Sequence, residues 1–349
     1  MSANPTVIEG AYLRDILEQP AAIERTVGSF EESLELRELG ERLRHGRYRR
    51  LVLTGMGSSF HALHPLYVQL STAGMPATMV ETSELIHYHP GLLSPDTVTI
   101  AVSQSGRSVE MVRMLELNTG RSRVVAVTND ADSLLAARSD TVIRTQAGKE
   151  HTVSSKTYVT ALAALAWLGG HLCGVDMHTL RRDLALLPDA VAAYLDHWRD
   201  HVRRAGSELD GVERLYFVGR GPSLATAGTA GLTTKESTRF PAEGMSAAAF
   251  RHGPIEMSGR RLFLLVFEGD ARTAELNHRL ARDVRAAGGR AAIVCESTDR
   301  GLFYTPPAPP GLRTVVEILP VQMMTLALAA MAGFEAGAFT VATKVTATE

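Results

Sequence analysis

A ten-residue pattern occurs twice in this chain. Arg50-Leu51-Val52-Leu53-Thr54-Gly55-Met56-Gly57-Ser58-Ser59 can be laid on Arg214-Leu215-Tyr216-Phe217-Val218-Gly219-Arg220-Gly221-Pro222-Ser223 at one constant offset, and the Arg, the Leu, both Gly and the final Ser match. Each copy is a short apolar run that ends in Gly-x-Gly and passes toward a helix-like stretch. A pattern repeated at a fixed distance marks a duplicated structural unit. A length of 349 residues is enough for two domains.

The segments around each copy set the fold class. Strands are expected at Arg49–Thr54, Ala77–Glu81, Val98–Val102 and Arg123–Thr128, with a further apolar segment at Thr141–Arg144 before the polar loop Thr145–Lys156. Helices are expected at Ala11–Thr26, interrupted at Pro20, at Ser29–Arg44 and at Phe60–Ala73. After the second copy, Leu262–Phe267 and Arg290–Val294 read as strands, and Ala274–Ala287 and Val321–Gly333 as helices. Strands alternating with helices make βαβ units, so the expectation is an α/β protein with two tandem doubly wound domains, each a mainly parallel, flavodoxin-like sheet flanked by helices. The charged, helically periodic stretch Met177–Gly206, divided at Pro188-Asp189, reads as a connector. The expected layout is N-terminal helices in residues 1–45, a first domain in 46–176, the connector in 177–208, a second domain in 209–335 and a tail in 336–349.

Ligands of such sheets bind beyond the carboxyl ends of the strands. There the first half carries Ser103-Gln104-Ser105-Gly106-Arg107-Ser108, between the apolar run Thr99–Val102 and a helical pattern with Val109, Val112, Leu115 and Leu117 on one side. Hydroxyls at a helix N-terminus suit a phosphate, because amide N–H groups and the helix dipole favour an anion. A single Ser in that place is ordinarily an N-cap; three hydroxyls in six residues point to an anion site. The corresponding second-half loop, Glu268-Gly269-Asp270-Ala271-Arg272, lacks the hydroxyls and carries two acids. One phosphate site per chain is therefore expected.

Other classes are disfavoured. The net charge of −2 offers no broad basic surface for nucleic acid or an acidic membrane. Cys173 and Cys295 have no redox or metal spacing, no signal-peptide pattern opens the chain, and Tyr158–Gly174 reads as a buried helix; a cytoplasmic protein is expected. The Gly-x-Gly turns lack the third Gly of a dinucleotide fingerprint, since Phe60 and Leu224 stand there. His87 and His89 have no third partner in sequence, so no metal site is expected.

Together, Leu17-Glu18-Gln19-Pro20, Gly57-Ser58-Ser59-Phe60-His61-Ala62, Ser103-Gln104-Ser105-Gly106, Val153-Ser154-Ser155-Lys156, Lys235-Glu236-Ser237, Arg251-His252-Gly253-Pro254 and Lys344-Val345-Thr346 resemble the double sugar-isomerase-domain proteins. This family includes the isomerase half of glucosamine-6-phosphate synthase and stand-alone phosphosugar isomerases and deaminases. The resemblance covers nearly the whole chain. It implies a phosphate cradle of Ser58, Ser59, Ser103, Gln104, Ser105 and Ser108, with Ser154 near the sugar. It also implies Glu236 as the proton-moving carboxylate, His252 as the ring-opening group and Lys344 as a tail residue reaching the sugar. In the family the His-bearing loop enters the neighbouring subunit's site, which implies a homodimer with shared sites. No N-terminal Cys nucleophile follows Met1, so no glutaminase domain is expected.

The chemistry agrees with these roles. Aldose–ketose interconversion moves a proton between C1 and C2 through an enediol, a task for one carboxylate base. A His can open the pyranose ring near neutrality. Neither step needs a metal or cofactor. Where the synthase pattern has a Lys three residues before Glu236 and an acid seven before it, this chain has Thr233 and Thr229. That favours isomerisation, deamination of an amino-sugar phosphate or deglycation of a ketosamine phosphate over amide-nitrogen transfer. A non-catalytic sugar-phosphate-binding regulator remains the alternative of a different class.

Overall fold

A computed structural model describes residues 7–297, 299, 301–341, 343 and 344. Among these residues, ten strands form two five-stranded sheets. The first comprises β1 (Arg50–Gly55), β2 (Ala77–Met79), β3 (Thr97–Val102), β4 (Arg123–Thr128) and β5 (Thr141–Arg144); the second comprises β6 (Arg214–Gly219), β7 (Ala242–Ser246), β8 (Leu262–Phe267), β9 (Arg290–Glu296) and β10 (Tyr304–Thr305). The strand orders are β2-β1-β3-β4-β5 and β7-β6-β8-β9-β10, and every pairing is parallel. The repeated pattern thus lies on β1 and β6, the equivalent strands of two copies of one topology.

By internal packing the chain forms two compact units that do not follow chain order. Of the described residues, one takes in those up to Pro20, Glu150–Ser155 and those between Leu186 and Val341; the other takes in Ala21–Lys149, Lys156–Ala185 and residues 343 and 344. The first unit holds β6–β10, the second β1–β5.

Each sheet is anchored by the helices on its faces. In the β1–β5 unit, Val52 and Ala101 pack with Met111, Met114 and Leu115 of helix Val109–Leu117 and with Leu135. The Val, Met and Leu side chains each contribute about 1.5–3 kcal/mol on burial. The buried face of that helix is therefore Met111–Met114–Leu115, while Leu117, expected on the inner side, is 44% exposed at the helix end. In the β6–β10 unit, Val218, Leu264 and Val266 pack with Phe250, Leu280 and Val284. Residues Thr314–Met331 have the length and apolarity of a membrane span, yet 89% of that stretch is buried within the protein, as befits a core helix.

Several expected boundaries shift for local reasons. The helix expected from Ser29 begins at Leu34, because the Ser33 side chain caps it by accepting from the Leu36 amide. Pro20 starts a new helix, Gln19–Gly28, after Ala11–Leu17 ends. The connector forms three helices, Met177–Leu184, Leu187–Leu195 and Trp198–Glu208, with Pro188 in the first turn of the middle one. The stretch Pro241–Phe250 contains β7 and the start of a short helix, Ala247–Arg251.

Candidate functional site

The candidate residues fall into two groups, one in each unit. In the β1–β5 unit, β1 and β3 run side by side in parallel, with Gly55 paired to Val102. The turn after β1 and the loop after β3 consequently leave the same sheet edge. Ser58 and Ser59 lie in the first turn of helix Gly57–His61, Ser58 buried and Ser59 half-buried. Ser103, Gln104, Ser105 and Ser108, on the loop that leaves the same end of the sheet, are all half-buried.

The loop is held by its own atoms. The Gly106 amide donates to Ser103 Oγ at 3.0 Å, and the Arg107 amide donates to Ser105 Oγ at 3.2 Å. Two amides expected to face an anion are thus already bonded, but each serine still has its hydroxyl hydrogen to donate. Gly106 has φ +59°, and a Cβ there would lie 2.3 Å from Ser133 Oγ, so the turn requires glycine. Ser108 stands at the N-cap of helix Val109–Leu117, yet its side chain makes no cap bond. Ser33, Ser133 and Ser246 at other helix starts each accept the expected amide. The Ser108 hydroxyl is therefore unused by its own helix. Arg107 turns to Asp130, its Nε donating to Oδ2 at 2.8 Å, and this bond holds the Asp130 carboxyl below the usual range.

In the β6–β10 unit, Glu236 is half-buried in the last turn of helix Leu224–Thr238. The helix ends at Arg239 in the left-handed conformation, and the chain beyond Gly333 is fastened to that end. The Gly337 amide donates to the Ser237 carbonyl at 3.0 Å, and Arg239 donates to the Ala338 carbonyl at 3.3 Å. A Cβ at Gly337, φ +78°, would lie 3.0 Å from Thr152 Oγ1 and 3.1 Å from Tyr12 Cβ. Four distant segments thus converge near Glu236: the first helix, the Glu150–Ser155 loop, the end of the Glu236 helix and the chain after Gly333.

That loop is also internally tied. Glu150 Oε1 accepts from the Ser155 amide at 2.8 Å and from Ser155 Oγ at 3.3 Å. Asp15, fully buried, accepts the His151 amide at 2.8 Å and contacts His151 Nδ1 at 3.2 Å. These bonds set the course of the loop that carries the half-buried Ser154. Tyr12 is buried with its hydroxyl 3.4 Å from Thr325 Oγ1. Burial pushes the Tyr12 phenol well above its ordinary value, and the negative charges of Glu236 and Glu150 add to the shift. Tyr12, Asp15 and Glu150 were not singled out from the sequence; the acidic Glu150 inside an otherwise polar loop was the one available signal.

Thr229 and Thr233 lie on the Glu236 helix, both buried. Thr233 Oγ1 donates back to the Thr229 carbonyl at 2.9 Å, while Thr229 Oγ1 has no partner among the described residues. His252 caps the carboxyl end of helix Ala247–Arg251 and is exposed. Lys344 is half-buried; the other residues quoted with it, Val345 and Thr346, lie outside the described residues, as do residues 342 and 347–349 of the expected tail. Lys156, quoted only within a motif, is 1% exposed at the start of helix Lys156–Cys173. Among the described residues, no three His, Cys, Asp or Glu side chains cluster as metal ligands.

The SIS domain model matches residues 47–168 and 208–332. The glutamine–fructose-6-phosphate aminotransferase (isomerizing) of Pyrococcus horikoshii is 28% identical over 340 residues, covering 93% of this chain and 55% of that protein. The chain thus spans about half the length of the curated relatives it matches. Among solved structures, the C-terminal domain of glucosamine-fructose-6-phosphate aminotransferase from Francisella tularensis superimposes with a TM-score of 0.83 at 21% identity, covering 95% of this chain and 98% of that one. Glucosamine-6-phosphate deaminase from Thermotoga maritima superimposes with a TM-score of 0.78 at 17% identity, covering 97% and 100%.

Proposed function

Because the chain belongs to the SIS domain family, we propose that it is a phosphosugar isomerase or deaminase acting on a hexose or hexosamine 6-phosphate. The observation that carries this reading is the loop after β3, where Ser108 occupies an N-cap without capping, beside Ser103 and Ser105 with hydroxyl hydrogens to donate. Such hydroxyls match the oxygens of a phosphate monoester. Ser58, Ser59 and Gln104 complete the cradle, and Ser154 contacts the sugar.

In this reading Glu236 takes the proton from one of the carbons C1 and C2 and returns it to the other. A carboxylate reaches both, since its two oxygens span adjacent atoms, and the intermediate is an enediol or, for an amino sugar, an enolamine. His252 moves the proton between the ring oxygen and the anomeric hydroxyl. Lys344 reaches the sugar from the tail. His252 is exposed on its own chain, as suits a group donated to the site of a second copy, and the proposed working unit is a homodimer. The uncharged Thr229 and Thr233 beside Glu236 favour isomerisation, deamination or deglycation over transfer of an amide nitrogen.

The test is incubation with a panel of hexose and hexosamine 6-phosphates, following ketose and ammonia. Ketose from neutral sugars selects isomerase; ammonia from 2-amino sugars selects deaminase. Release of an amine from a ketosamine phosphate selects the deglycase. Binding across the panel without turnover selects the regulator and rejects the enzyme. For the shared site, mixing inactive Glu236→Gln and His252→Ala chains is expected to restore part of the activity, because one hybrid site regains both groups. Heterodimers that stay inactive would reject the shared-site arrangement.

A further inference from the structure

The second sheet repeats the topology of the first, and with it the turn at the carboxyl end of the leading strand. Gly221 has φ +54° after β6, as Gly57 has φ +53° after β1, and Ser223 stands where Ser59 stands in the first copy. The segments that follow the fifth strands differ in charge. After β5, the helix Lys156–Cys173 opens with the buried Lys156; after β10, the helix Thr314–Glu317 ends with the buried Glu317. Glu317 Oε1 accepts from Ser223 Oγ at 2.9 Å, and Oε2 accepts from Thr226 Oγ1 at 3.0 Å. Gly269, from the loop after β8, packs on the same hydroxyl: a Cβ there would lie 3.3 Å from Ser223 Oγ. Arg313 donates to the Gly269 carbonyl at 3.0 Å and pairs with Glu296 at 3.3 Å.

We infer that the Glu317 carboxylate occupies the anion seat of the second half, so that the duplicated turn holds an internal carboxylate where the first turn would hold the phosphate of a ligand. A carboxylate resembles one face of a phosphate: two oxygens, each accepting a hydroxyl. Burial raises the carboxyl's affinity for its proton and the charge of Glu268 adds to the rise, while the hydroxyls of Ser223 and Thr226 and the charge of Arg313 offset part of it. The acids Glu268 and Asp270, which replace the serines of the first-half loop, further repel an incoming anion. The second half is therefore closed to phosphate monoesters by occupancy as well as by loop composition. The comparison of the two seats rests on the proposed role of the first-half cradle.

The test is equilibrium dialysis of the full chain with inorganic phosphate, in a Ser103→Ala/Ser105→Ala background that empties the first-half cradle. Adding Glu317→Ala is expected to create phosphate binding, and adding Ser223→Ala to abolish it again. A folded Glu317→Ala chain that binds no more phosphate than its background overturns the inference, as does a gain that survives Ser223→Ala. If Glu317→Ala does not fold in chloride, refolding in phosphate becomes the readout. Recovery in phosphate alone supports the seat; failure in both salts, with Glu317→Gln folded, overturns it. Phosphate binding that persists in the background itself counts against the proposed first-half cradle, and the effect of Glu317→Ala is then read as the increment above it.

Discussion

Replacing Glu236 by Gln is expected to leave sugar-phosphate binding in place and to lower turnover by roughly 10²–10⁴, the usual size of a general-base contribution. The substitution keeps the shape and polarity of a half-buried side chain in the last turn of its helix. It removes the one property the proposed mechanism needs, an oxygen basic enough to take a carbon-bound proton. The fold should tolerate the change, because the helix end is held by other bonds: the Gly337 amide to the Ser237 carbonyl and the Arg239 side chain to the Ala338 carbonyl. Calorimetric affinity and single-turnover rate, measured on the same preparation, separate the two effects. A variant that turns over at the wild-type rate removes Glu236 from the chemistry; one that loses binding and rate together makes it a ligand contact instead.

The next largest effect is expected at the cradle. Ser103→Ala and Ser105→Ala each delete a donor to a charged acceptor, a loss of about 1.5–3 kcal/mol. That is roughly 10- to 150-fold in affinity per hydroxyl. Each substitution also frees an amide, that of Gly106 or Arg107, which now donates to the serine oxygen. The Arg107 amide is exposed, so water can replace the serine there and the stability cost is expected to be about 1 kcal/mol or less; the Gly106 residue is buried, so freeing its amide is expected to cost about 1–3 kcal/mol. At Ser105, affinity should therefore fall much further than stability. Ser108→Ala provides the internal control: an N-cap deletion ordinarily costs about 0.5–2 kcal/mol, but this hydroxyl caps nothing, so its loss should weaken binding with almost no change in melting temperature. Unchanged affinity in the Ser103→Ala/Ser105→Ala chain would reject the cradle. A large stability loss in Ser108→Ala would return it to an ordinary cap.

What was legible in the sequence follows from how locally each feature is determined. Strands β4 and β8 match expectation to the residue because each is an uninterrupted apolar or β-branched run buried on both faces. Strand β7 was not legible: Ala-Glu-Gly-Met-Ser has no β-branched residue, and its strand form comes from pairing with β6. Gly244 within it lies so close to Ala227 that a Cβ would meet the Ala227 carbonyl oxygen at 2.0 Å. Close packing of this kind is a tertiary fact that no local propensity encodes. The two strand-to-helix turns that carry the candidate cradle residues were legible, because each joins an apolar run to a helical pattern through a short polar segment rich in Gly and Ser. The surroundings of Glu236 were not: Tyr12, Glu150, Thr325 and Gly337 come from four separated segments, and no spacing in the chain announces their meeting. The Glu317–Ser223 bond is hidden in the same way, since the partners are 94 residues apart.

The central claim, that this chain moves a proton between adjacent carbons of a phosphosugar, is tested most directly by proton NMR of hexose and hexosamine 6-phosphates incubated with the wild-type protein in D2O. Proton transfer through an enediol lets the carboxylate exchange with solvent, so the C2 proton signal of the accepted sugar should disappear at a rate that depends on enzyme and is lost in Glu236→Gln. A wild-type chain that binds the sugar phosphates yet leaves every C2 and C1 proton in place, with no ketose or ammonia formed, would contradict it.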